Sequence, residues 1–170
     1  TVSGLTPSTQ YIFRVSSICG NETVSTTIAA NTACGQFEIP YSEDFDLLAS
    51  GDNVVNPCWN MGNIESTTRP SVVNVTGMGK MLDLPLGGYA SLPLMNTDAD
   101  MLRVRFNYLF ADTMVYAYVG LSNHPNDVLA TQYFDTLRAS EVGATYTAMV
   151  PFDAYEGEVG YITFYSPRGH

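Results

Sequence analysis

Apolar and polar positions alternate along most of this chain, and no convincing stretch takes on the longer period of a helix. In the N-terminal part Tyr11, Phe13 and Val15 alternate with Ile12, Arg14 and Ser16. A Gly20-Asn21-Glu22 turn and a second β-rich run, Val24 to Ala30, follow, which predicts one hairpin. Further on, short strands are expected at 71–75, 80–84 and 89–94, and longer ones at 102–110, 115–122, 131–137, 146–150 and 159–165. Gly77, Gly79, Gly87-Gly88, Asn96-Thr97-Asp98, Asp112, Pro125-Asn126-Asp127, Gly143 and Gly157 punctuate them. Many turn-separated strands without helices predict an all-β chain whose larger part is a β-sandwich of jelly-roll type.

One stretch organises the rest. In Pro40-Tyr41-Ser42-Glu43-Asp44-Phe45-Asp46, Tyr41, Glu43 and Phe45 alternate with Ser42, Asp44 and Asp46, the period of a strand with one face buried. Glu43 therefore shares a face with Phe45, and a buried carboxylate is costly unless paired or bound to a cation. With Glu43, Asp44 and Asp46 within four residues, calcium is the natural partner, a hard cation that takes carboxylate and carbonyl oxygens. The plainer reading is an edge strand whose charges block sheet-to-sheet association. Asn96-Thr97-Asp98-Ala99-Asp100 opens like a calcium loop, but no downstream Gly and Glu complete one, and it reads as a turn.

Composition narrows the partners. Among 170 residues, 7 Lys plus Arg stand against 17 Asp plus Glu, a net charge of -10 that repels phosphate backbones and anionic membranes, so nucleic acid is not an expected partner. No apolar run reaches the length of a membrane span, and no membrane insertion is expected. The chain begins at Thr1 without an initiator Met and is read as a piece of something longer. Its three cysteines, Cys19, Cys34 and Cys58, form no CxxC pair, so a disulfide between two of them is favoured over a zinc site. A bridge between Cys19 and Cys34 is feasible across the hairpin.

Two resemblances refine this picture. Leu5, Pro7, Thr9 and Tyr11 followed by the hairpin resemble the end of a fibronectin type III domain, with its tyrosine corner before the penultimate strand. Residues 1–34 are assigned to such a partial domain and residues 35–170 to a second. In the second, Glu43-Asp44-Phe45-Asp46, Pro57-Cys58-Trp59, Met81-Leu82-Asp83-Leu84, Ala90-Ser91-Leu92-Pro93, Leu102 to Phe106 and Val119-Gly120-Leu121-Ser122 resemble the MAM-like jelly rolls of Bacteroidetes surface proteins. These are the cleaved-adhesin and choice-of-anchor J modules. The resemblance implies an extracellular location, a cation site at Glu43 and Asp46, a Cys34–Cys58 disulfide with Cys19 free, and an internal Trp59. It also implies a closing strand with an Asp pair, whereas this sequence stops at Ser166-Pro167-Arg168-Gly169-His170.

No catalytic constellation is legible. His124 lies in the turn Ser122-Asn123-His124-Pro125, and no GxSxG elbow accompanies it. A candidate ligand surface comes instead from the outward positions of three strands: Arg103 and Arg105 on one, Tyr116 and Tyr118 on the next, Tyr161 on the last. Tyrosines flanked by arginine can stack on sugar rings and bond their hydroxyls; the plain alternative is that Tyr simply favours strands. The expected function is noncatalytic recognition or adhesion, directed at a glycan or a cell-surface protein, within a multidomain surface or secreted parent. The rivals are an accessory carbohydrate-binding module of a secreted glycoside hydrolase or protease, and a structural spacer.

Overall fold

A computed structural model of the chain describes residues 2–7, 9–20, 22–52 and 58–167. The chain divides into two compact units, Thr1–Gly35 and Gln36–His170. In the first, β1 (Gln10–Cys19) pairs antiparallel with β2 (Glu22–Asn31), from Gln10 opposite Asn31 to Cys19 opposite Glu22. The backbone N–H of Thr6 donates to the Tyr11 hydroxyl at 2.9 Å, and Thr32 Oγ1 donates to Thr6 O at 2.7 Å, which pins the approach segment to the hairpin. The hairpin has no second layer within its unit, so Ile12 and Ile18 are each 75% exposed and Val15, Val24 and Ile28 are little better covered.

The second unit is an all-β sandwich. Its larger sheet has the order β3-β6-β11-β8-β9, formed by β3 (Asn60–Asn63), β6 (Gly88–Ser91), β11 (Tyr161–Tyr165), β8 (Tyr116–Ser122) and β9 (Gln132–Arg138), with every pairing antiparallel. A smaller sheet pairs β7 (Arg103–Tyr108) with β10 (Tyr146–Pro151), and β4 (Ser71–Val75) with β5 (Gly79–Asp83) makes a separate ribbon. The only helical pieces among the described residues are 3-10 turns at Ala99–Met101 and Val128–Ala130.

Alternation decides what enters the core. Ala117, Val119 and Leu121 of β8, Ile162 of β11 and Leu137 of β9 bury themselves against Leu102, Val150 and Phe152 from the other layer. Phe106 of β7 meets Phe164 of β11 edge to face at 4.9 Å, which fixes the two sheets face to face. Arg103, Arg105 and Asn107 are left outside, as the period-two reading expects.

Two local features depart from simple alternation. Residues 40–46 do not form the strand expected of them: the chain there is irregular between a bend at Pro40 and a turn beginning at Asp46, although Tyr41, Glu43 and Phe45 are half-buried while Ser42, Asp44 and Asp46 are exposed. The carboxylates cause this. Glu43 Oε1 accepts from Phe45 N–H at 2.8 Å and Asp44 Oδ1 from Asp46 N–H at 3.1 Å, so these amides are spent on local turns rather than on a ladder. Phe45 adopts φ 62, a left-handed conformation outside the range of a strand. Its ring still meets Trp59 at 6.1 Å, and Trp59 Nε1–H donates to the Tyr41 hydroxyl at 2.8 Å. Trp59 is thus half-buried against the core, its one polar atom satisfied. The second departure is a bulge in β9, where Asp135 lies opposite Val119 but Tyr133 lies opposite Gly120, leaving Phe134 as the extra residue.

Candidate functional site

The register of the five-stranded sheet arranges its outer face in rows running across the strands. Asn60, Ser91, Thr163, Gly120 and Tyr133 form one row. Gly62, Tyr89, Tyr165, Tyr118 and Thr136 form the next, with Tyr116 and Arg138 beyond it.

Small side chains in the first row make room for the loop that follows β8. Ser91 Oγ donates to Pro125 O at 2.8 Å and Ser122 Oγ to His124 O at 2.6 Å, while the Tyr133 hydroxyl holds Val128 O at 2.9 Å. The loop backbone therefore lies over the sheet, and Ser91, Ser122 and Thr163 are buried beneath it. His124 is exposed in this loop, engaged through its carbonyl oxygen.

A run of aromatic rings joins tyrosines of the second row to Tyr133 of the first. Tyr118 stacks on Tyr133 at 4.5 Å, Tyr133 faces Tyr165 at 6.4 Å, and Tyr116 meets Tyr118 edge-on at 5.3 Å with the Arg138 guanidinium 4.7 Å over its ring. Because Tyr133 is sandwiched between two neighbours, its ring faces are spoken for. Burial, reinforced by the Tyr165 phenol, pushes the Tyr133 hydroxyl up to about 12. Tyr165 is raised in the same direction by burial and by the Glu65 carboxylate.

At the β3 end of this row the face opens into a cleft of about 640 Å³. Asn60, Met61, Gly62 and Asn63 form its floor; Ser66, Thr67 and Arg69 come from the segment after β3, and Tyr89 and Asn126 complete the lining. The Tyr89 ring passes over Gly62, where any Cβ would fall 2.6 Å from the phenolic oxygen. Asn63 is committed to the wall: its Oδ1 accepts from the N–H groups of Glu65 and Ser66, and its Nδ2 donates to Leu86 O. Among the described residues, Asn60, Arg69 and Asn126 have no side-chain hydrogen bond or ion pair. Among the described residues, the lining contains no carboxylate, histidine or cysteine.

The residues singled out in sequence are distributed differently. Tyr116, Tyr118 and Tyr161 lie on the outer face of the large sheet, Tyr161 opposite Ser122 and separated from the other two by the loop-covered Thr163. Arg103 and Arg105 lie on the outer face of the β7–β10 sheet, opposite Pro151 and Met149, on the other side of the sandwich. The five do not form one patch, because alternation tells inside from outside but not which sheet's outside. Sequence reasoning missed Asn60, Arg69, Tyr89 and Asn126, which meet only through cross-strand register and the folded-back loop.

Glu43 and Asp44 have the local roles already described, and the carbonyls of Asp46 and Leu48 accept from Lys80 Nζ, at 2.8 Å for Asp46. Among the described residues no three side chains of His, Cys, Asp or Glu gather as a metal group. Cys34 and Cys58 are disulfide-bonded, and Cys19 is free and exposed.

No family model, curated protein or solved structure matches this chain.

Proposed function

We propose that this chain is a noncatalytic extracellular recognition module that holds a glycan in the cleft beside Tyr89. The observation carrying the reading is a concave site in which an aromatic ring stands among uncommitted amide and guanidinium groups, with hydroxyls at the rim. Sugars ask for that combination: the C–H face of a pyranose packs on an aromatic ring, and its hydroxyls both donate and accept. Among the described residues the polar groups lining the cleft are amides, hydroxyls, one phenol and one guanidinium, a set suited to hydrogen-bonding sugar hydroxyls. The disulfide suits an oxidising compartment, and the resemblance to adhesin-type jelly rolls points to a multidomain surface or secreted parent, whose other domains are further partners.

A glycan array tests the reading. Saturable binding is expected, strongly reduced in Tyr89→Ala and in Asn126→Ala. Loss confined to Tyr116→Ala with Tyr118→Ala would move the site along the aromatic row. Flat signals throughout would leave the module a structural spacer.

A further inference from the structure

We infer that the cleft selects saccharides carrying an isolated anionic group, recognised by Arg69; this rests on the glycan reading above. Lysine and arginine are few in this chain, 7 in all. Among the described residues Arg14 donates to Ser25 Oγ, Lys80 to the carbonyls of Asp46 and Leu48, and Arg138 lies on the Tyr116 ring. Arg69, Arg103 and Arg105 are left without a hydrogen bond or ion pair, and of these Arg69 alone lines the cleft. There it stands among neutral amides and hydroxyls with no carboxylate in the lining, so the cleft is locally positive in a chain of net charge -10.

A guanidinium presents a planar fork of donors that suits a carboxylate or sulfate oxygen pair, and such charge-assisted bonds are the strong ones. Asn60 and Asn126, in the same lining, remain for the neutral hydroxyls of the same saccharide. The surroundings limit the charge that is welcome. Within a Debye length of about 8 Å at physiological salt, a dense polyanion would bring its remaining charges against the acidic surface. The ligand therefore carries one anionic substituent, uronate or sulfate ester, on an otherwise neutral scaffold.

The test is titration of the protein and of Arg69→Gln with a panel of neutral oligosaccharides, the same scaffolds bearing a single uronate or a single sulfate ester, and heparin. A singly charged scaffold is expected to bind about tenfold more tightly than its neutral parent, and Arg69→Gln to erase that preference while retaining the neutral binding. The uronate and sulfate arms identify which anion supplies the group. Equal affinity for neutral and charged scaffolds, a preference that survives Arg69→Gln, or heparin as the tightest ligand would overturn the inference and leave the glycan reading standing. Failure of every saccharide to bind would remove both.

Discussion

The hydroxyls of Ser91 and Thr163 meet at 2.8 Å on the outer face of the large sheet, and both residues are fully buried. A hydroxyl has one proton to give: Ser91 directs its own at Pro125 O, and Thr163 shares its proton between Ser91 Oγ and Tyr161 O at 3.1 Å. This pair seats the loop that carries Asn126 into the cleft. Thr163→Val keeps the shape and removes the donor, and urea unfolding should show a loss of about 1 kcal/mol. Glycan affinity should fall with it, although Thr163 lies outside the cleft lining.

Gly62 and Gly120 lie one row apart on the same face, yet alanine should act differently at each. At Gly62 the new methyl meets the free end of the Tyr89 side chain, which can swing aside, so Gly62→Ala should spare stability and abolish cleft binding. At Gly120 it collides with the Gln132 carbonyl oxygen, which belongs to the β8–β9 edge and cannot move alone. Gly120→Ala should cost about 2 kcal/mol or more, read as a lower denaturation midpoint.

The raised hydroxyl of Tyr133 makes stability sensitive to alkali. Its acid form is favoured in the folded state, so the contribution is fully present below the ordinary tyrosine value near 10. It is lost as pH rises through about 12. Unfolding monitored across that window should show falling stability, with a shallower fall in Tyr133→Phe. Tyrosinate absorbance should show a late-titrating phenol that disappears in the same variant.

Lys80 already supplies a cation to the carbonyls of Asp46 and Leu48, and a calcium ion drawing on those carbonyls would have to displace it. Thermal melts with calcium and with chelator are therefore expected to coincide in the wild type. Lys80→Met should lower the melting temperature by loosening this loop. A calcium-dependent rise that vanishes in Glu43→Gln would show that the loop rebuilds itself around the ion.

Period-two patterning carried most of the strand assignment: β4 occupies its expected residues, and β7 through β11 begin or end within two positions of theirs. It failed at residues 40–46 because the same Glu and Asp residues that complete the alternation are able to hydrogen-bond their own backbone. The four-residue β3 was too short to declare itself, and with it went the edge of the cleft. The outward direction of Tyr116, Tyr118, Tyr161 and Tyr165 was legible one strand at a time. Their neighbours were not, since adjacency of β11 to β6 and β8 is a property of topology rather than of spacing.

The extra residue in β9 acts as a parity switch for two aromatic side chains. Counting back from Leu137 in strict alternation would turn Tyr133 inward and Phe134 outward. With one residue inserted, Phe134 reaches Phe152 at 5.2 Å in the core, and the phenol of Tyr133 joins the outer stack. Deleting Asp135 would therefore remove the bulge yet keep both directions, since Phe134 would then oppose Val119 and Tyr133 would still oppose Gly120 in unbroken alternation. Closing the bulge with every residue retained would instead exchange an apolar ring for a hydroxyl in the interior and unroof the loop that Tyr133 ties down, which makes the register of this strand, as much as its composition, a specification of the surface above it.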